Sequence, residues 1–402
     1  MTTLTLKDMT AEEIVARSAA AGEPAWLAER RRDAWNYFLQ SIPPEWRRTN
    51  LRELDPEVLV PAAVPQGTAI QWDAELAPAG VIFTTMAAAL KTHSDLIQSK
   101  MDQAVLALEH KFSALRAALW QDGAFLYVPK GVAIERPLRV CYTLADSKQA
   151  IFPRTLVILE EQASVTLIEE FISHDHAEPA LAGPITEIFA GPGSSLRFAS
   201  VQHWGAGVYH IGGQKLILGR DANAEWTSVA LGGQVQHIEA ETRLEGNGSQ
   251  VNWLGATFAN GTQNLVIAPW LRHVGHNAES FMQFKTVVND SGYSVFDGMI
   301  KIEHESKATS TRLEEHALHL SPDARNDSIP GLKIDTNDVL KGGHASTSGD
   351  LDDMQLFYMQ ARGIKRDDAK HMIVMGFFEP ALNRIPVEDL RDELAGIIEG
   401  KI

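Results

Sequence analysis

The spacing at which apolar residues recur differs between two parts of this chain. Up to about residue 120, apolar positions recur at helical spacing. The segment from Ala25 to Leu39 places Trp35 and Phe38 near one face and charged residues on the other, and Pro43 follows it. The stretch from Met86 to Leu119 contains neither Pro nor Gly and is rich in good helix formers, so it is also predicted to be helical.

From Phe125 to about Leu320 the apolar period changes from helical to two. Short runs rich in β-branched and aromatic residues end in Gly, Asn or Asp, as strands do. No helical pattern of any length interrupts them. The clearest runs cover residues 155–159, 164–168, 196–201 and 251–254.

Turn signals recur through this β region. Turns begin at Gly191, Gly219, Gly246 and Gly275, at intervals of 28, 27 and 29 residues, and an alternating strand follows each one. Stacked coils produce near-constant spacing with diverged sequence, because each coil must match its neighbour's circumference. The pattern favours a right-handed parallel β-helix. An antiparallel jelly roll is the structural alternative on pattern alone.

Helical signals return after Gly349. Helices are predicted from Leu351 to Ala361, from Lys365 to Phe378 before Pro380, and from Val387 to Ile398. The predicted fold is therefore mainly β. It has an N-terminal helical domain (1–121), a right-handed parallel β-helix core (122–345) and a C-terminal helical domain (346–402).

The composition limits the classes of function that the chain could have. The 402 residues are 45% hydrophobic and 22% charged, as in ordinary globular proteins, and the formal net charge of −16 argues against binding nucleic acid. No apolar run is long enough to span a membrane, and the N-terminus lacks a secretory pattern, so we expect a cytoplasmic protein. Cys141, the single cysteine, lies in an apolar β segment and is interpreted as an inert thiol.

Familiar catalytic motifs are absent. The chain has no phosphate-binding P-loop, dinucleotide fingerprint, G-x-S-x-G, C-x-x-C or H-E-x-x-H. His174 with His176, and the segment from Glu314 to His319, could offer imidazole and carboxylate ligands to a metal. On a strand, Glu315 and His319 would face away from His316. We interpret both groups as solvated or hydrogen-bonded histidines.

Three segments carry a family resemblance. The first is the ordered series from Asp338 to Gly349, with His344 among glycines at a predicted strand-to-helix junction. The others are Gly123–Val132, with Arg136-Pro137-Leu138 after it, and Glu45–Leu51. Together they resemble the SufB/SufD family of iron–sulfur cluster assembly proteins, over nearly the whole chain. The resemblance independently implies a β-helix.

The resemblance also implies a role for His344. SufD-type members carry a histidine here in a C-x-H-G-A-T-x-G motif, at the end of the β-helix where it meets SufB. In this chain Gly342 replaces the motif's cysteine and Ala345 its next glycine. With Cys141 as its only thiol, the isolated chain is expected to bind no cofactor. Iron or a transient Fe–S cluster would form only with SufB, which marks the chain as SufD-type.

The C-terminal helices offer a second candidate surface. They carry an adaptable, Met-rich apolar face, and in the resembling family this region receives the ATPase SufC. The candidate SufC-binding residues are Met354, Phe357, Tyr358, Arg362, Met372, Met375 and Phe377.

The resemblance therefore predicts a non-catalytic subunit that pairs with SufB, binds SufC and can form a homodimer when alone. Two SufC subunits that dimerise on ATP would strain the SufB–SufD interface and expose His344. Two alternatives remain open. One is a secreted-type β-helix enzyme acting on polysaccharides, which would need acid pairs along the coils. The other is a structural homodimer without cluster chemistry, which Gly342 favours.

Overall fold

The computed structural model describes residues 4–62, 69–71 and 80–402. Within them, the α-helices are α1 (Ala11–Ala20), α2 (Ala25–Gln40), α3 (Met86–Thr92), α4 (Ser94–Lys100), α5 (Lys111–Leu119), α6 (Asp353–Ala361), α7 (Arg366–Leu382) and α8 (Glu388–Glu399). Two short 3₁₀ turns cover Leu6–Asp8 and Pro56–Val58.

The strands account for most of the remaining chain. In order they are β1 (Val60–Pro61), β2 (Ala69–Gln71), β3 (Ile82–Thr85), β4 (Gly123–Val128), β5 (Leu138–Leu144), β6 (Gln149–Ile151), β7 (Arg154–Leu159), β8 (Ser164–Ser173), β9 (Ala180–Ala182), β10 (Ile185–Ala190), β11 (Ser195–His203), β12 (Val208–Leu218), β13 (Asn223–Ala230), β14 (Val235–Leu244), β15 (Gln250–Ala259), β16 (Asn264–His273), β17 (Glu279–Val288), β18 (Tyr293–Phe296), β19 (Met299–Ile302), β20 (Thr309–His319), β21 (Arg325–Ser328), β22 (Gly331–Ile334) and β23 (Val339–Asp350).

The β region is a parallel β-helix, as predicted. A nine-stranded sheet runs in the order β2-β5-β8-β11-β13-β15-β17-β20-β23, and a fourteen-stranded sheet contains the strands between them. Every described pairing is parallel except β2 with β5 and β3 with β4, next to the N-terminal region. Such long in-register parallel pairing excludes the antiparallel jelly roll.

The repeated turns stack on one another and explain the periodic glycines. Gly193 N donates to Arg220 O, and Asp221 N donates to Asn247 O, each at 2.8–2.9 Å, so successive turns are tied together. Both donor residues have positive φ. A Cβ on Gly246 would overlap the backbone of Arg220 in the preceding turn, and one on Gly275 would overlap Gly246. The spacing read from the sequence is therefore the spacing of the coils.

The interior of the coils is apolar, with polar layers. Trp226 and Trp253 stack with ring centroids 4.0 Å apart on adjacent strands, and both are buried. Towards the N-terminal end the fully buried Glu169 lies between hydroxyl and amide groups. Buried polar groups require such partners, because an unpaired one destabilises the fold.

The N-terminal helical region corrects one prediction. The stretch from 86 to 119 is not continuously helical but forms α3, α4 and α5. After α4 the chain turns at Asp102, which has φ 63°. The backbone N–H groups of Asp102, Ala104 and Val105 donate to the buried Glu187 carboxylate at 3.0–3.1 Å. These tertiary hydrogen bonds to the Glu187 carboxylate outweigh the local helix propensity of the segment.

The C-terminal helices correct a second prediction. Helix α7 continues through Pro380 to Leu382 and does not stop at Phe378. Ala381 and Leu382 are buried against the outer face of the nine-stranded sheet, together with Ile385. This packing offsets the missing Pro380 N–H, and α7 and α8 are thereby fixed to the outside of the coils. The preceding strand, β23, extends to Asp350.

Candidate functional site

The β-helix ends in an open strand. β23 is the last strand of the nine-stranded sheet and pairs in parallel with β20. In the described part of the chain, no strand pairs with its other edge. Most of its side chains are exposed. Unpaired backbone groups on such an edge can hydrogen-bond to another strand, so β23 is a natural site for a partner.

His344 lies within β23 and not at a strand-to-helix junction as the sequence suggested. Its register partner on β20 is Leu313, which is fully buried inside the coils. Register partners in parallel strands point to the same side of the sheet. His344 therefore lies on the interior side of the coil wall, but it is exposed because no further coil follows in the described chain.

Gly342 lies on the same side of β23 as His344, because the two are two positions apart on a strand. Its register partner Thr311 is also buried inside the coils. A Cβ on Gly342 would meet Ile334 at 3.6 Å and Val339 at 3.7 Å, which are ordinary contacts. The backbone therefore has room for the cysteine that this position carries in the family motif.

We term the open end of the β-helix at β23 the rim. Glu315, on β20, lies inside the coil just below this rim. It is fully buried, and its carboxylate lies 3.2 Å from both Asn326 Nδ2 and Ser346 Oγ. Burial raises its pKa, while the hydrogen bonds from neighbouring side chains lower it. The rim thus contains an imidazole and, beneath it, a carboxyl group that the interior holds without a cation partner among the described ion pairs.

Of the two histidine groups noted in the sequence, only His174 with His176 is separated from this rim, whereas the segment from Glu314 to His319 lies on β20 next to β23. β8 ends at Ser173, so His174 and His176 lie in the following loop and not on a strand. His316 Nδ1 lies 2.7 Å from Thr347 Oγ1, and His319 Nε2 lies 2.9 Å from Ser348 Oγ. These hydrogen bonds tie the last two coils together, in agreement with their interpretation as hydrogen-bonded strand residues.

A different charged group was not predicted. Glu170, His203 and Glu393 bring potential ligand atoms within 4.8 Å of one another. Glu170 accepts hydrogen bonds from Arg139, and His203 Nε2 lies 3.1 Å from the same carboxylate. His203 Nδ1 lies 4.0 Å from Glu393 on α8. Because Arg139 already neutralises Glu170, we interpret the group as ion pairing between coil and helix.

Cys141 lies beside this group and away from the rim. It is half-buried on β5, in register with Glu170. Burial, together with the nearby Glu170 carboxylate, raises its pKa to about 11. The thiol is therefore protonated at neutral pH, which makes it a poor nucleophile and metal ligand.

The predicted C-terminal surface divides into two parts. Met354, Phe357 and Tyr358 of α6 and Met372 of α7 are 57–73% exposed, which is unusual for large apolar side chains. The exposed Arg362 guanidinium lies 4.4 Å from the Tyr358 ring centroid. These five residues form what we term the α6–α7 patch.

The other two candidate residues face the β-helix. Met375 and Phe377 are half-buried against the apolar cluster between α7 and the nine-stranded sheet. The ammonium group of Lys285 lies 4.4 Å from the Phe377 ring centroid. Both residues therefore contribute to fixing α7 on the coils.

No helix in the described ranges combines the length and apolar character needed to cross a membrane.

The fold and the site together define a class of protein: a parallel β-helix scaffold with an open end strand and a helical appendage that displays an apolar patch. Comparison with known families makes this specific. Residues 142–377 match the model described as "SUF system FeS cluster assembly, SufBD core domain", and residues 68–140 match "SufBD protein N-terminal region". The chain belongs to the SufB/SufD family of iron–sulfur cluster assembly proteins.

Individual relatives agree with this assignment. The chain is 34% identical to the iron-sulfur cluster assembly protein SufD of Bacillus subtilis over 330 residues, which cover 82% of this chain and 75% of the relative. It is 26% identical to SufB of the same organism over 370 residues, covering 90% and 78% of the two chains. An iron-sulfur cluster assembly SufBD family protein of Staphylococcus saprophyticus is also 26% identical, over 364 residues. The chain is thus more similar to this SufD than to this SufB.

Proposed function

We propose that this protein is a non-catalytic, cytoplasmic SufD-type subunit that pairs with SufB and binds the ATPase SufC. The observation that carries the proposal is the open β23 edge with His344 at its rim. A second β-helix could continue the sheet there through backbone hydrogen bonds. The greater identity to a SufD than to a SufB supports the assignment.

Iron and sulfide are the cargo of this proposed interface. A neutral imidazole is a borderline ligand that suits iron, and His344 would offer it at the junction while the partner supplies thiolates. Cys141 is unsuited to this role because it lies on another strand and its pKa is raised to about 11. We therefore expect the isolated chain to bind no stable cluster.

SufC would bind the α6–α7 patch. α7 and α8 are fixed to the nine-stranded sheet by a continuous apolar cluster. A force that SufC applies to α6 and α7 would therefore be transmitted to the strands of the nine-stranded sheet. Coupling to ATP requires SufC to contact the patch differently in two states, since equal binding to both shifts no equilibrium.

The interface proposal is tested by His344→Ala in a complex with SufB and SufC. We expect normal assembly by gel filtration but cluster formation reduced by about tenfold or more, as loss of a metal-site group typically causes. His304→Ala is the matched control, because His304 is also highly exposed, at 83%, but lies on a turn. Wild-type cluster yield from the His344→Ala complex would refute a role for the imidazole.

The SufC site is tested by Phe357→Asp and Met372→Asp. Each places a charge on the α6–α7 patch without touching the buried cluster, and each should abolish capture of SufC. Leu39→Asp is the control, since Leu39 on α2 is 59% exposed and apolar. Truncation after Asp350 is a poorer test, because it would expose the apolar sheet that α7 and α8 cover. Full SufC binding by both patch variants would place the docking site elsewhere.

A SufD-type subunit differs from a structural homodimer in one measurable respect. If the β23 edge serves SufB, then mixing the two proteins should convert any homodimer to a heterodimer at equimolar ratio. Light scattering with differently tagged chains measures this exchange. Persistence of the homodimer in excess SufB would support the structural alternative instead.

A further inference from the structure

A basic groove lies where the loop that follows α2, residues 41–55, crosses the last coils. Its volume is about 580 Å³, and its wall contains four arginines but a single acidic residue. The residues that matter are Arg47, Arg48, Arg52, Arg325, Tyr293 and Asp327. Such a concentration of positive charge is unexpected in a chain whose formal net charge is −16.

The loop that carries the first arginines is held in place. The Trp46 ring stacks on His237 with centroids 3.7 Å apart. Thr49 Oγ1 lies 2.6 Å from His237 Nδ1, and Asn50 N donates to Asn264 Oδ1 at 2.7 Å. These contacts join the loop to β14 and β16. The groove is therefore preorganised, and a ligand would not have to order this loop.

The positive charge of the groove is only partly balanced by the protein, through Asp327 in its wall and the nearby Asp297 carboxylate, which Arg48 also attracts. Asp327 accepts hydrogen bonds from Arg48, Arg325 and Tyr293 at 2.7–3.0 Å, so its single charge is shared by two guanidinium groups. Arg47 approaches Glu45 only to 3.9 Å, with both side chains 85% exposed, and such pairs contribute little. Arg52 forms no ion pair among the described residues. At least two cationic groups are left for a ligand.

The lining indicates the kind of ligand. Guanidinium groups present paired N–H donors that match the oxygens of phosphate. The volume falls within the range of small-molecule sites. The groove has no aliphatic side chain, and its one aromatic ring, Tyr293, lies 4.8 Å from the Arg325 guanidinium carbon. A protein partner would need apolar anchors, which are missing here.

We propose that this groove binds the phosphate groups of a small, multiply charged phosphorylated compound. The site is separate from the α6–α7 patch and uses no residue assigned to cluster chemistry. It also gives a function to the Glu45–Leu51 segment, whose Arg47 and Arg48 contribute half of the arginines.

The test is isothermal titration calorimetry of the full chain with inorganic pyrophosphate. We expect saturable binding of one pyrophosphate per chain, and an affinity about tenfold or more weaker in the Arg47→Gln/Arg52→Gln variant, because each charge-assisted hydrogen bond contributes strongly. The control is Arg197→Gln/Arg220→Gln. Those arginines are also exposed, at 64% and 69%, and their removal changes the net charge equally.

Three outcomes would overturn the proposal. Equal pyrophosphate affinity in wild type and the groove variant would place binding elsewhere. An equal loss in both double variants would reduce the effect to net charge. Binding of an oligoglutamate peptide but not of pyrophosphate would make the groove a protein contact. Because the titration uses the free chain, its result is independent of SufB pairing and of SufC.

Discussion

Replacing Glu169 with Gln should change the pH dependence of stability in a predictable direction. Glu169 is fully buried in the coil interior, where its carboxylate accepts hydrogen bonds from Thr155, Thr186 and Gln214 at 2.5–3.2 Å. Among the described ion pairs none involves it, so no cation offsets its charge. Burial raises its pKa from 4.5 to about 7, although these hydrogen bonds oppose the rise.

The size of the effect follows from that pKa. One pKa unit corresponds to about 1.4 kcal/mol, so ionised Glu169 destabilises the fold by about 3 kcal/mol relative to a neutral group. A raised carboxyl pKa means that the folded state binds the proton more tightly. The stabilisation by the protonated form is complete below pH 4.5 and is lost as the pH rises to about 7.

The assay is urea unfolding, followed by tryptophan fluorescence, to which the buried Trp226 and Trp253 contribute. The difference in free energy of unfolding between Glu169→Gln and wild type should become more favourable to the variant by about 2.5 kcal/mol between about pH 5 and pH 8. Comparing this variant-minus-wild-type difference at the two pH values cancels the titration of other carboxyl groups. It also cancels any pH-independent effect of packing the amide.

Glu161→Gln is the matched control. This exposed carboxylate has a lowered pKa, because Lys130 hydrogen-bonds to it and attracts it. The stabilisation that it contributes is complete above about pH 4.5 and is lost only as the pH falls below that value, so Glu161→Gln should show almost no change relative to wild type between pH 5 and pH 8, and a change of opposite sign only below pH 4.5. If the Glu169→Gln difference stayed constant over this pH range, the buried carboxyl would not titrate there, and the reasoning about its pKa would be wrong.

Two further predictions concern the coils. Gly246→Ala should prevent stable folding, because its Cβ would overlap the Arg220 backbone, whereas Gly343→Ala meets nothing within 4 Å and should be neutral; circular dichroism melting compares the two. Lys401→Met should loosen the end of α8 and destabilise the protein by about 1–3 kcal/mol, since its amino group, whose pKa burial lowers to about 7, donates to Phe258 O, Asn260 Oδ1 and Gln263 Oε1, and these acceptors would lose their partner. Hydrogen exchange in α8 would report this, and unchanged protection would contradict it.

The β-helix was predictable because its geometry repeats. Turns at Gly191, Gly219, Gly246 and Gly275 stack directly, and a Cβ at Gly191, Gly246 or Gly275 would overlap the backbone of the previous turn. That constraint acts within each coil and so produces a recognisable turn sequence at every repeat. The ends of the helices produce no comparable sequence signal. The break after α4 depends on Glu187, which lies 85 residues from Asp102 along the chain, and no local propensity reports that contact.

The candidate site was only partly predictable. The family motif located His344, but its place within β23 and its side of the sheet follow from pairing with β20, which the sequence alone does not fix. Arg139 and Glu170 are joined at a separation of 31 residues, and so are Arg272 and Glu303. Each pair is separated by one coil of 29 residues plus two, because Arg139 is in register with Ile168 and Arg272 with Lys301. Opposite charges at this spacing are a signal that a sequence could have supplied, once the coil length was known.

Gly342 stands where the motif of the resembling family has a cysteine, and we expect this replacement to affect the proposed cluster chemistry more than the structure. A Cβ fits at this position, so the glycine is not required by the backbone. Were the rim thiol necessary for pairing with a second β-helix, its loss would weaken the interface, but the backbone groups of β23 are unchanged by any side chain. Under the proposed function, pairing and cluster chemistry would therefore be separable in this chain. Partner binding should depend on the β23 edge, and any cluster formed there would depend on His344 and on ligands that the partner supplies.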